Sequence, residues 1–353
     1  MRRVRFVALG DSLTEGVGDP VGDGWRGWAA LLAQGLVGEA EGAAGAAPAV
    51  AAAGAAPAVA AVAVVAGTEG LGRSEGAEGV ADPSEPGELR ERGEPEEPVE
   101  PAEPIEPVRP VEFINLAVSG AQTRDVLERQ LPAGLELRPD VVSVVVGVND
   151  TLRCTFDIHA VAARLDTVYG SFAEQGAVLL TACLPDPGGA LGLPGALARP
   201  LARRQRAVNA VVHALSERYG AVHLHAAEGA WLTDRAMWSA DRLHPGERGH
   251  RQLAVRFHAV LAEAGLATGS APSPEPEFAA PTTSASLWWL ATAGTGWVAR
   301  RCTDLLPQLL TLAADELRHR ARGTSARLDL RASAAVSAAL AALSVAERRP
   351  DAA

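Results

Sequence analysis

Four short polar stretches in this chain carry residue types that can do chemistry together. Gly10-Asp11-Ser12-Leu13 puts a serine at the end of the apolar run Val4–Leu9. Gly120 follows the run Val111–Val118, and Gly147-Val148-Asn149-Asp150 follows Asp140–Val146. Asp241-Arg242-Leu243-His244 places a carboxylate three residues before an imidazole, just ahead of Pro245-Gly246. A serine hydroxyl is a weak nucleophile near neutral pH and becomes effective when an imidazole within hydrogen-bond reach takes its proton. A carboxylate beside the imidazole fixes its tautomer and stabilises the protonated ring. Each stretch also has a plainer reading. Ser12 can cap a helix or turn, and His244 can cap the helix that Pro245 opens. Asn149-Asp150 is a good turn pair, and Gly120 a good turn residue.

The elements around these stretches decide whether they can meet. Val4–Leu9, Val111–Val118, Asp140–Val146, Ala177–Leu184 and Ala221–His225 read as strands, the third a continuous β-branched run suited to burial on both faces. Helical spacing predicts helices over Trp25–Leu36, near Ala121–Leu131, over Asp157–Glu174, over Leu201–Tyr219 and over Pro245–Ala264. Strands alternating with crossover helices imply a parallel sheet, whose ligands gather at the carboxyl ends of the strands. Three of the polar stretches lie at such ends, and the fourth opens the last helix.

This set resembles the SGNH hydrolases, the GDSL esterases and lipases, whose four blocks are matched in order by Gly10-Asp11-Ser12-Leu13, Gly120, Gly147-Val148-Asn149-Asp150 and Asp241-Arg242-Leu243-His244. The resemblance implies a three-layer α/β/α fold with a five-stranded, flavodoxin-like parallel sheet. It implies a carboxylic ester hydrolase with Ser12 as nucleophile, His244 as base and Asp241 as its carboxylate. The oxyanion hole it implies is the N–H groups of Ser12 and Gly120 with the side-chain amide of Asn149. A small-molecule ester is then the partner and no cofactor is needed. Trp231 and Trp238, just before Asp241, are candidates for the substrate pocket or, equally, for packing. A non-catalytic binding protein on the same fold, or an acyltransferase using the same residues, are the alternatives.

The resemblance covers residues 1–36 and 112–268, a discontinuous domain interrupted by residues 37–111. Ala40–Gly67 contains only Ala, Gly, Val and Pro apart from Glu41, and AAGAAPAVA occurs twice in tandem. Its prolines and glycines argue against a membrane span. Pro98, Pro101, Pro104, Pro107 and Pro110 then recur every third residue, the period of polyproline II. The insert reads as a disordered, solvated spacer, with a proline-reading partner as the alternative. Residues 269–286 read as a linker and 287–353 as a helical segment. There Trp288, Trp289, Leu290, Trp297 and Val298 are expected to dock on the hydrolase domain rather than on a membrane surface.

Composition narrows the remaining classes. All 32 basic residues are Arg against 43 acidic ones. Thr68–Glu112 holds 14 acidic residues and four Arg, so the net charge of -11 sits mostly in the insert. No basic stripe exists for a nucleic-acid backbone, and no lysine for a P-loop. Too few apolar residues follow Arg2, Arg3 and Arg5 for a secretory leader, and Cys154, Cys183 and Cys302 imply no disulfide framework, so a cytoplasmic location is expected. His223 and His225 share a strand face, but no third ligand stands near them in sequence, so no metal site is expected; His250 and His258 read as structural.

Overall fold

The computed structural model of the chain describes residues 3–37, 51–52, 111–279 and 306–347. Its strands are β1 Val4–Gly10, a two-residue hairpin of β2 Pro20–Val21 and β3 Gly24–Trp25, β4 Ala51–Ala52, β5 Val111–Asn115, β6 Val141–Val145, β7 Val178–Cys183 and β8 Val222–His225. Its helices begin with α1 Ser12–Glu15, α2 Gly27–Gly35 and α3 Thr123–Asp125; a π turn at Val126–Gln130 joins α3 to α4 Leu131–Glu136. They continue with α5 Val148–Thr151, α6 Ile158–Glu174, α7 Pro187–Ala190, α8 Gly195–Arg218, α9 Glu247–Glu263, α10 Leu306–Ala321 and α11 Ser325–Glu347.

The main sheet runs β4-β5-β1-β6-β7-β8 with every pairing parallel. Without the two-residue edge strand β4 this is the five-stranded doubly wound sheet expected from the sequence. Side chains alternate across a strand. Phe6 and Ala8 of β1 therefore join a core with α2 and α9, where Trp28 stacks on Phe257 at 4.4 Å. Val7 and Leu9 join the opposite core with Val161, Leu165 and Phe172 of α6 and Val208, Val211 and Leu215 of α8. All five residues of β6 are buried, which is why its sequence reads as an unbroken apolar run.

Several elements differ from the sequence reading: β5 ends at Asn115 rather than Val118, and α2 and α9 are each shorter than expected. The helix expected near Ala121–Leu131 is α3, the π turn and α4, reaching Glu136. Pro132 has no N–H to carry the helical ladder onward at that point. Helix α8 starts at Gly195 rather than Leu201, with Pro200 accommodated in its second turn. Two residues of the segment read as a spacer, Ala51 and Ala52, pair beside Ile114 and Asn115 at the sheet edge. The rest of that segment, and Trp288, Trp289, Leu290, Trp297 and Val298, lie outside the described residues.

The last two helices pack against α6 and α8. Val336 and Ala339 of α11 are buried in the same core as α6 and α8. Arg203 of α8 reaches Glu316 of α10 at 3.1 Å and Asp329 of α11 at 2.8 Å. By length and composition Ser325–Val345 of α11 could also cross a membrane, although its buried residues pack on the domain.

Candidate active site

Strand β1 delivers Ser12. The chain leaves β1 through Gly10 at φ 152°, where a Cβ would sit 2.3 Å from the carbonyl oxygen of Val145, so only glycine lets the strand end this close to its neighbour. The buried side chain of Gln130 clamps the same residue: Gly10 N–H donates to Oε1 at 2.8 Å, and Nε2 donates back to the Gly10 carbonyl at 2.9 Å. Asp11 then caps α1 by accepting from the Leu13 N–H at 3.1 Å. Ser12 is thereby fixed, half-buried, as the first residue of a short helix.

The turn before α9 delivers the other two. Asp241 Oδ1 accepts from the N–H groups of Leu243 (2.9 Å) and His244 (3.0 Å) and from Ser239 Oγ (2.6 Å). Arg242 takes a left-handed φ of 58° inside that turn. The second oxygen, Oδ2, accepts from His244 Nδ1 at 2.6 Å. A hydrogen on Nδ1 leaves Nε2 as an acceptor, and Ser12 Oγ lies 2.8 Å from it. Burial pushes the Asp241 carboxyl up, but the hydrogen bond and charge of His244, its backbone amide and Ser239 outweigh it and bring the carboxyl down to about 2. It stays ionised wherever an imidazole base can work.

Asn149 and Gly120 border the same strand ends. Val118 N–H donates to the Gly10 carbonyl at 3.2 Å, so the loop carrying Gly120 lies against the end of β1. Gly120 turns there with φ 82°. Asn149 Nδ2 donates to the Ala121 carbonyl at 3.1 Å and, more loosely, to Asp11 Oδ2 at 3.3 Å. Beneath them the buried Asp150 accepts from Thr123 N (3.0 Å) and Thr123 Oγ1 (2.7 Å), tying α5 to α3; its burial raises its pKa. Asp11 is fully buried, and burial pushes its carboxyl up to about 6. Asp150 and Glu15 add to the rise, against the Leu13 amide and the charge of His244.

Ser12, His244 and Asp241 thus form one hydrogen-bonded line, with Asn149 joined to Asp11, the residue before Ser12. The tryptophans do not extend that line. Trp231 is buried and stacks on Trp238 at 5.4 Å, each indole N–H satisfied by a backbone carbonyl. Trp238 also borders a cavity of about 330 Å³ with Val17, Pro20, Trp25 and Phe278, which Asp241 touches but Ser12 and His244 do not. Gln130 is a neighbour of the site that sequence reasoning missed, and the buried carboxylate of Asp11 is a feature the first block did not disclose. Gln130 acts on a backbone 120 residues away, and no motif spacing marks it. His250 is structural, as expected: Nδ1 accepts from the Trp28 N–H and Nε2 donates to the Val17 carbonyl, which ties α9 to α2 and to the loop after α1.

Residues 102–252 match the model of the GDSL-like Lipase/Acylhydrolase family. No curated protein matches the chain. Among solved structures the chain is similar to a lipase/acylhydrolase from Enterococcus faecalis, with 15% identity, 76% of this chain and 98% of that chain covered, and a TM-score of 0.44. It is also similar to an α/β hydrolase from the metagenome of Lake Arreo, Spain, with 18% identity, 73% and 95% covered, and a TM-score of 0.45. An acetylxylan esterase from Geobacillus stearothermophilus matches with 16% identity, 73% and 94% covered, and a TM-score of 0.42. The matched segment holds Gly120, Asn149, Asp241 and His244, and β1 brings Ser12 to them from outside it. Over residues 102–252 the chain is similar to the GDSL-like lipase/acylhydrolase family, and that match supports an ester hydrolase.

Proposed function

We propose that the protein cleaves a carboxylic ester through an acyl-enzyme formed on Ser12. The observation that carries this reading is the line from Ser12 Oγ through His244 to Asp241, at 2.8 and 2.6 Å. His244 Nε2 takes the hydroxyl proton as Oγ attacks the ester carbonyl, and Asp241 stabilises the imidazolium. The tetrahedral oxyanion collapses, the C–O bond to the alcohol breaks, and His244 returns the proton to the leaving oxygen. Water then repeats the sequence on the acyl-enzyme, releasing the acid and restoring Ser12.

Asn149 supplies a donor to the oxyanion together with the Ser12 and Gly120 amides. One of its two N–H groups is held by Ala121, and the longer bond to Asp11 is the one that yields to substrate. A fluorophosphonate probe tests the reading directly. Wild-type protein should label once, at Ser12, while Ser12→Ala and His244→Ala should not label and should lose nearly all turnover of p-nitrophenyl esters. Labelling of Ser12→Ala, or wild-type activity in it, would remove the proposal. The same esters, from acetate to palmitate, rank the acyl chains accepted.

A further inference from the structure

The register of the last two strands brings together three metal-ligating side chains that lie far apart in sequence. Cys183, the last residue of β7, pairs with His225, the last residue of β8, and Thr181 pairs with His223. All four point to the face covered by α8, where the sulfur of Cys183 and one ring nitrogen each of His223 and His225 lie within 4.8 Å of one another. Among the described residues this is the one group of three such side chains with converging ligand atoms. Cys183 is buried, His223 half-buried and His225 exposed, so the cluster opens to solvent on one side.

The hydrogen bonds around His223 prepare one of its nitrogens. Ser216 Oγ donates its only hydrogen to the Val212 carbonyl at 2.6 Å. Thr181 Oγ1, 2.7 Å away, therefore donates its own to Ser216 Oγ. His223 Nδ1 faces both oxygens, at 2.9 Å from Thr181 and 3.2 Å from Ser216, and must carry the hydrogen itself. That tautomer leaves Nε2 as an acceptor, 3.1 Å from Cys183 Sγ. A ring nitrogen held by an outer oxygen while the other faces a thiol is the arrangement of a metal-ligating histidine with its supporting shell.

A third imidazole stands against the other two. The ring of His213, from α8, lies 5.3 Å from those of both His223 and His225, and its buried Nδ1 has no hydrogen-bond partner among the described residues. Its Nε2 is 3.4 Å from Glu217. Arg256 holds the strand end by donating to the His225 carbonyl at 2.7 Å.

We propose that Cys183, His223 and His225 bind a borderline-soft transition-metal ion of the zinc class, with His213 completing a tetrahedral shell. One thiolate and imidazole nitrogens are the donor set such ions select. Zinc–sulfur and zinc–nitrogen bonds of about 2.3 and 2.1 Å require ligand atoms roughly 3.5 Å apart, so among Cys183, His223 and His225 side-chain rotation of about 1 Å closes the widest pair. The ion displaces the Cys183 thiol proton to solvent, since the thiolate is the form that binds metal. The bound ion joins β7, β8 and α8 and takes no part in the Ser12 chemistry.

Cobalt tests this without relying on turnover. In full-length protein carrying Cys154→Ser and Cys302→Ser, Cys183 is the only thiol. Titration with Co²⁺ should give one ion per chain, a near-ultraviolet sulfur-to-cobalt charge-transfer band and the intense visible bands of tetrahedral cobalt, and Zn²⁺ should displace it. Cys183→Ser and His225→Asn should each lose the sulfur-cobalt signature or weaken binding at least 100-fold, and His213→Ala should weaken it about 10-fold. His225 is exposed and ends its strand, so His225→Asn keeps the test decisive if a variant of the buried Cys183 fails to fold. No sulfur-cobalt band in the parent, or wild-type affinity in His225→Asn, overturns the site. An unchanged affinity in His213→Ala overturns the fourth ligand.

Discussion

Asn149 is already committed, with one N–H on Ala121 and the other on Asp11, so in the proposed reaction its value lies in what it releases. Asn149→Ala should lower kcat by about 10² to 10³, roughly 3 to 4 kcal/mol, with KM little changed, because its bond to substrate strengthens only as charge develops. Steady-state kinetics on one p-nitrophenyl ester checks this, and a raised KM at constant kcat would make Asn149 a ground-state binding residue. Asp11 gives a second residue-scale test. Its carboxyl is raised from 3.8 to about 6, so the neutral form is favoured in the folded state. The stability this confers is complete below about pH 4 and is lost as pH rises through 6, a change of about 3 kcal/mol. Asp11→Asn should remove that loss. Denaturant titrations from pH 4 to 8 should show wild type weakening relative to the variant, and parallel curves would refute the assignment. Ser12, Asp241 and His244 were legible in sequence because nucleophilic chemistry demands those exact types at strand ends. Gln130 was not, since a side chain that serves a backbone 120 residues away leaves no spacing to read. Cys183 stayed hidden for a related reason: only strand register places it beside His225.

At the level of elements, burial made the strands readable. The β-branched run of β6 could only be a strand covered on both sides, and the alternation of Phe6 and Ala8 with Val7 and Leu9 splits β1 between two cores. The π turn between α3 and α4 was not readable, because it places Gln130 on Gly10, a tertiary demand that local propensity does not record. The contact of α10 with α8 depends on Arg203, whose guanidinium meets the buried Glu316. Arg203→Ala strands that carboxylate and should destabilise the protein by about 3 kcal/mol, whereas Arg203→Met with Glu316→Leu should come close to wild type. Thermal melts of the three proteins decide it, and equal losses in single and double variants would show that the pair itself stabilises.

For the whole molecule, the long segment between α2 and β5 contains none of the four polar stretches. Replacing residues 40–110 with a short Gly/Ser linker should keep ester hydrolysis within about threefold, since loop-closure free energy changes slowly with length. The replacement also uncovers the edge of β5 where Ala51 and Ala52 pair, so soluble yield is the companion measurement. A roughly tenfold loss of folded protein would assign the insert a structural role. The line from Ser12 to His244 spans 232 residues, whereas His244 and Asp241 are separated by three. On the proposed mechanism a ribosome therefore makes the nucleophile first and its base among the last parts of the domain. The nascent chain carries an unarmed serine until the turn at Asp241–His244 and helix α9 have emerged and packed on α2. If Ser12 depends on that turn, hydrolytic activity is acquired in one late step of synthesis, and a chain truncated before residue 241 should be inert however well its first strands have formed.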